Sequence, residues 1–269
     1  MSRIIRGWVL VVLGLFAALP AAGQGAAGAI DLPISLPGGI TADLTVSFES
    51  VTGLSLANLG VAVQLISPND PGLLTRLPGT ASIPAGFPVL VRIEPPASGG
   101  LSFNGIALIQ LHTHNLQYVP HTPLRLFAAP LGGAFADITD ATGAGSYRVS
   151  GSKGGFSEFL IVVDLTSLNR AVLDKFDRLR QLLTDNADAI PGAVRNELSL
   201  ELAAARADYL QGNTEDAIHD VDLFLATVRQ HSGTDIPDVW RAARDLVDVA
   251  GLLRAGGRTL RFSLTEIDS

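Results

Sequence analysis

Cysteine does not occur anywhere in the 269 residues. No disulfide can tie this chain together and no thiolate can hold a metal, so burial of apolar surface alone must support the fold. Aromatic side chains are scarce at 6%, with two Trp and three Tyr, which leaves little from which to build a sugar-stacking platform. Charged residues make up 17% and apolar ones 47%, a balance that suits neither a disordered chain nor a nucleic-acid binder. Beyond residue 24 no apolar run approaches 18 residues, and no membrane span is expected there. Catalytic signatures are missing as well. No pair of aromatic-flanked carboxylates suggests glycoside hydrolysis, and no spacing among the five His points to a Ser-His-Asp constellation.

What is present begins with an address. Arg3 and Arg6 precede an apolar run from Trp8 to Leu19, and Ala21-Ala22-Gly23 follows as a small-residue cleavage site. This is the layout of a secretory signal peptide over 1–23, with cleavage expected near Gly23. Its 12-residue apolar core is too short to span roughly 30 Å of hydrocarbon. Removing it leaves 17 basic against 26 acidic side chains, a net charge of about −9. Such a surface argues against DNA, RNA or anionic lipid as partners.

From residue 24 to 165 the pattern is strand and turn. Ile30, Leu32, Ile34 and Leu36 alternate with polar residues up to Pro37-Gly38-Gly39, and alternation resumes through Ile40, Ala42, Leu44, Val46 and Phe48. Further strand-like runs lie at 60–66, 87–94, 106–116, 124–128, 146–150 and 158–164, separated by Gly/Pro-rich turns. About eight short strands at this spacing predict a β-sandwich. Asp137-Ile138-Thr139, then Tyr147 to Gly151, then Gly155-Phe156-Ser157-Glu158-Phe159 resemble the last strands of ZU5-like sandwiches in bacterial surface proteins, over roughly 88–163. Some members of that family cut their own backbone at a His-Phe-Ser motif. Here Gly155 stands in the histidine's place, so the general base is missing and no self-cleavage is expected.

From 166 onward the period changes to that of helices. Thr166-Ser167 caps a helix whose stripe is Leu168, Val172, Phe176, Leu179 and Leu183. A second carries Val194, Leu198, Leu202, Ala205 and Tyr209. Gly212-Asn213 turns the chain into a third, with Ala217, Ile218, Val221, Phe224, Leu225 and Val228 on one face. Ala207, Leu210, the Gly-Asn turn, Ala217-Ile218, Val221, Phe224 and Val228 resemble the FIMAH domain, a non-catalytic helical module of exported bacterial proteins, over roughly 198–253. A fourth helix is expected from Pro237, through Val239 or Trp240, Ala243, Leu246, Val247, Ala250 and Leu253, to a stop at Gly256-Gly257. Leu260, Phe262 and Leu264 then alternate with polar residues as a last strand, either returning to the sandwich edge or free for a partner.

Candidate chemistry is thin. His112 and His114 share a strand face and His121 follows past Pro120, three imidazoles that could hold zinc with an open position; a polar strand face is the plainer account. Asp137, Asp140, Asp216, Asp220 and Asp222 lack the rhythm of a calcium loop. Gly143-Ala144-Gly145 and Gly151 to Gly155 lack the spacing of a phosphate cradle and read as hairpin turns.

The sequence therefore predicts an α+β protein of two segregated domains: a signal peptide at 1–23, a β-sandwich at 24–165, a four-helix antiparallel bundle at 166–257 and a short C-terminal strand at 258–269. The expected role is that of an exported, non-catalytic protein in the periplasm or outside the cell. It would mediate interaction or adhesion through the sandwich, with a protein or envelope component as partner and no cofactor. The alternative is a small-molecule or glycan-binding protein using the sandwich loops or the interdomain groove, and a hydrolase assembled from distant residues comes third.

Overall fold

The computed structural model describes residues 28–268, so the leader and its cleavage site lie outside the described residues. Twelve strands come first to last as β1 (Ala29–Leu36), β2 (Ile40–Thr52), β3 (Val61–Leu65), β4 (Ala81–Ser82), β5 (Val89–Ile93), β6 (Ser102–Thr113), β7 (Leu124–Ala129), β8 (Ala136–Asp137), β9 (Thr139–Gly143), β10 (Tyr147–Lys153), β11 (Glu158–Asp164) and β12 (Val239–Arg241). Single-turn helices α1 (Leu56–Leu59) and α2 (Pro71–Leu74) sit among them, and four long helices follow: α3 (Leu168–Asp185), α4 (Gly192–Gln211), α5 (Thr214–His231) and α6 (Val249–Asp268). Among the described residues no helix is long and apolar enough to cross a membrane.

The strands form two antiparallel sheets. One has the order β1-β2-β6-β10-β9 with β12 also on β6; the other has β3-β5-β11-β7-β8 with β4 on β11. Strand alternation sends Leu44, Val46, Ile109, Leu111 and Val149 of the first sheet against Val91, Leu126, Phe159 and Ile161 of the second, and this is the sandwich core. The turn at 37–39 falls where Leu36 pairs with Ile40, and Gly38 and Gly39 both take positive φ, which only glycine adopts freely. Phe156 and Phe159 both reach this core although they are three apart, because β11 starts only at Glu158 and leaves Phe156 outside the strand's alternation. The outer face of the second sheet is closed by Leu73 of α2 and loop residues Ile66, Leu77, Ile83 and Phe135 over Leu90, Phe127, Leu160 and Val162.

The long helices share their own core of Phe176, Leu179, Leu198, Leu202, Val221, Phe224, Leu253 and Leu260. α3 is capped by Ser167 as expected, and Gly212 ends α4 in the left-handed region at φ 86°. Asn213 occupies the N-cap position of α5 but makes no side-chain cap bond there; its carbonyl accepts from Ala217 instead.

The fourth helix and the last strand differ from expectation. Residues 237–248 form a loop containing β12, and the expected strand at 258–269 is the second half of α6, which runs unbroken through Gly256-Gly257. The reason is packing. A Cβ on Gly256 would lie 2.8 Å from Leu179 Cδ1 and one on Gly257 2.7 Å from Leu225 Cδ2, so α3 and α5 press on the helix where it has no side chains. The true stripe is Val249, Leu253, the glycine pair, Leu260 and Leu264, a helical period with two bare positions. The return to the sandwich is made by β12, whose Val239, Trp240 and Arg241 pair with Asn104, Phe103 and Ser102. Trp240 stacks on Phe103 at 5.3 Å and meets Phe156 edge-on at 5.1 Å.

α6 lies across β6, β9 and β10 and fastens the two halves. A register shift between Phe48 and Ser50 takes Glu49 out of the ladder, and its carboxylate receives both ends of the Arg254 guanidinium at 2.7 and 2.5 Å. Arg258 donates to Asp140, and Arg125 lies 3.5 Å from Glu266. Deepest is Lys175 of α3, only 5% exposed. Its ammonium lies 2.6 Å from Asp137 Oδ2 and donates to Ser263 Oγ at 2.7 Å and the Thr259 carbonyl at 3.1 Å. Burial alone would push the Asp137 carboxyl up, but the Lys175 charge and the hydrogen bonds from Lys175 and Thr139 hold it below the usual range.

Removing one member of such a buried pair strands the other. We expect Lys175→Met to lower stability by about 3–5 kcal/mol in urea unfolding, and Lys175→Met with Asp137→Asn to recover part of that loss. Equal losses in the single and double variants would show that the pair does not act as a unit.

Candidate functional site

The helical half contains a groove of about 660 Å³ between α3 and α4. It exists because these two helices are held apart. α4 turns into α5 through Gly212-Asn213 and lies flush on it, whereas residues 186–191 separate α3 from α4, and the two touch far less. The antiparallel run places Arg180 and Asp177 of α3 opposite Leu202, Ala203 and Arg206 of α4, with Arg195 near the connecting loop.

The floor is apolar. Phe176, Leu183 and Leu202 are buried beneath it, while Ala203, Ala207 and Leu210 line the α4 wall in the open, Leu210 being 61% exposed. Over this floor stand three guanidiniums and one carboxylate. Arg180 donates to Asp177 at 3.2 Å, and Arg206 NH2 is 3.8 Å from the same oxygen. Arg195 donates to the Ala187 carbonyl. Arg206 Nε is buried and has no hydrogen-bond partner among the described residues. A buried N–H without an acceptor costs free energy. The chemistry on offer is binding: an apolar surface beside permanently charged donors.

A second groove of about 520 Å³ lies between the halves, bordered by Tyr118 and Asp140 on one side and Arg229, Arg258 and Arg261 on the other. Its charges are largely spent on one another. Arg258 is bonded to Asp140 and Arg261 to Asp222, with Glu266 also on its wall.

The residues singled out in the sequence fall elsewhere. His112 and His114 do share a face, their rings 4.9 Å apart. His112 Nε2 donates to the Gly145 carbonyl at 2.8 Å, and His114 Nδ1 is 2.7 Å from Ser146 Oγ. Asp43 of the neighbouring strand lies 3.7 Å from His112 Nδ1, a carboxylate invisible from local sequence because it arrives by cross-strand pairing. His121 sits in the turn before β7 at φ 55°. Among the described residues no three His, Cys, Asp or Glu side chains are grouped to hold a metal ion. Of the aspartates considered for calcium, Asp137 serves Lys175, Asp140 accepts from Ser150, Ser152 and Arg258, and Asp222 binds Arg261. Burial, with a hydrogen bond to Asp208 and that residue's charge, pushes the Asp220 carboxyl up. At Gly155 a Cβ would lie 3.2 Å from the Trp240 indole nitrogen, a tight contact to which the ring would have to yield by a few tenths of an ångström.

The strongest displaced carboxyl belongs to neither groove. Asp248 is fully buried at the start of α6, where Oδ1 accepts from Gly251 N at 2.6 Å and Oδ2 has no hydrogen-bond partner among the described residues. Burial drives its pKa up to about 8; the Gly251 N–H opposes this, Asp238 and Glu49 add to it and Arg254 opposes it. The unfolded value is roughly 3.9. The native state therefore holds this proton more tightly, and the stability it contributes is complete below pH ~4 and lost as pH rises through about 8. Asp248→Asn keeps a good capping residue and removes the titration. We expect denaturant unfolding to show the variant gaining on the parent between pH 5 and 8, by up to about 1.4 kcal/mol per pH unit; a constant difference would contradict a neutral Asp248.

Comparison with curated proteins finds no match. A family model does match, over residues 16–267, nearly the whole chain including both sheets and all four long helices. The chain belongs to DUF6689, a family of unknown function.

Proposed function

We propose that this is an exported, non-catalytic binding protein whose ligand lies in the groove between α3 and α4. In this reading a β-sandwich domain carries a four-helix module, and the module holds the site. The observation that carries it is the pairing of an apolar floor with three guanidiniums that outnumber the one carboxylate among the described lining residues. Support for export comes from the basic start, short apolar core and small-residue site in 1–23. Adhesion through the sandwich draws on the open edge of β1, but Asp31 and Pro33 blunt that edge for strand pairing.

Ala203 is exposed on the groove wall, and a large ring there would fill the cavity without entering the helix core. The full chain would be purified from its native host and its native mass compared with that of Ala203→Trp. We expect a small molecule retained by the parent and lost from the variant, with thermal unfolding changed by no more than a few degrees. The same added ligand mass on both proteins, beyond the mass of the substitution itself, would sink the groove as the site.

A further inference from the structure

We infer that the ligand of the α3–α4 groove is an amphiphilic anion, a single apolar chain ending in an oxyacid, with its head on Arg206 and Arg180 and its chain along Leu202 and Leu183. This rests on the groove being the binding site and adds what kind of molecule it takes.

The head group follows from the charges. The whole chain carries 19 basic and 26 acidic side chains, yet this groove has three arginines against Asp177 alone. Local positive charge in an acidic protein attracts an anion and turns away the chain's own carboxylates. Arg180 and Arg206 converge on Asp177 from opposite helices, which places two guanidinium forks at one level of the groove. Guanidinium presents five N–H donors in a plane. One Asp177 oxygen, at 3.2 and 3.8 Å, leaves most of them open on two guanidiniums whose side chains are 71% and 42% exposed. A carboxylate or phosphate offers the paired oxygens such forks bind.

The tail follows from the rest of the surface. From Arg206 towards the connecting loop the groove runs past Leu202, Ala203 and Leu183 to Arg195, a distance of ~16 Å along α4 at 1.5 Å per residue. Arg195 is already bonded to the Ala187 carbonyl, and it closes that end rather than calling for a second anion. A volume of about 660 Å³ is in the range of small-ligand pockets, and a purely polar anion would leave this apolar length wet.

The test uses the full-length mature protein and three amphiphiles of equal chain length below their micelle concentrations: sodium dodecanoate, dodecyl phosphate and the neutral dodecyl maltoside. Binding is read by calorimetry at two salt concentrations, on the parent, Arg206→Met and Ala203→Trp. We expect at least one acid to bind the parent, binding that weakens with salt, falls about tenfold or more in Arg206→Met and disappears in Ala203→Trp. Whichever acid binds identifies the head as planar or tetrahedral. Equal binding of the maltoside, untouched by Arg206→Met, would overturn the anion and leave the groove as the site. Acid binding that survives Ala203→Trp would place it elsewhere and overturn the inference. Failure of every amphiphile while the parent still retains its native ligand would do the same without touching the groove reading.

Discussion

One ammonium group sets much of this structure. Lys175 is taken out of water, and a charge in that position is tolerable only if every donor finds an acceptor and a counter-charge lies in contact. Asp137 from the sandwich and Thr259 and Ser263 from α6 meet those terms together. α3, α6 and β8 are thereby held at one point. α6 then takes up its further pairs, Arg254 with Glu49 and Arg258 with Asp140, along the sheet it covers. Each pair singly is worth little at a surface; strung along one helix with partly buried partners, they set its register on the sheet.

The groove is a consequence of that same constraint. α3 is committed to α6 and the sandwich through Lys175, while α4 is committed to α5 through a two-residue turn. With six residues joining them, α3 and α4 have no need to close on each other, and their facing surfaces stay apart. Arg180, Arg195 and Arg206 then flank an apolar floor. The position of Asp248 belongs to the same picture. α6 approaches the sheet so closely that a Cβ on Gly251 would lie 2.4 Å from the Gly105 carbonyl, and the capping carboxyl is sealed from water.

Much of the fold was legible. The stripes of α3, α4 and α5, the Gly212 stop and the alternation of β1 and β2 are local patterns, and locality is what a single sequence carries. α6 was not, because glycine at 256 and 257 looks like a helix end unless one knows that Leu179 and Leu225 press there. The candidate site was not legible either. Ser199, Ala203 and Arg206 lie off the Val194, Leu198, Leu202 and Ala205 stripe, and only the separation of α3 from α4 gives them a shared space. The histidines show the converse: His112 and His114 share a face as alternation requires, but their neighbours Asp43, Gly145 and Ser146 come from other strands and turns.

By itself, then, the sequence determined that both helices and sheets would form and that no disulfide could hold them. These follow from residue type and spacing along the chain. Tertiary structure alone decided that 258–268 is helix, that β12 makes the return to the sandwich, that Lys175 finds three acceptors, and that two helix faces enclose a charged groove. Each of these depends on atoms tens of residues apart in sequence brought within a few ångströms, a distance that local pattern does not encode.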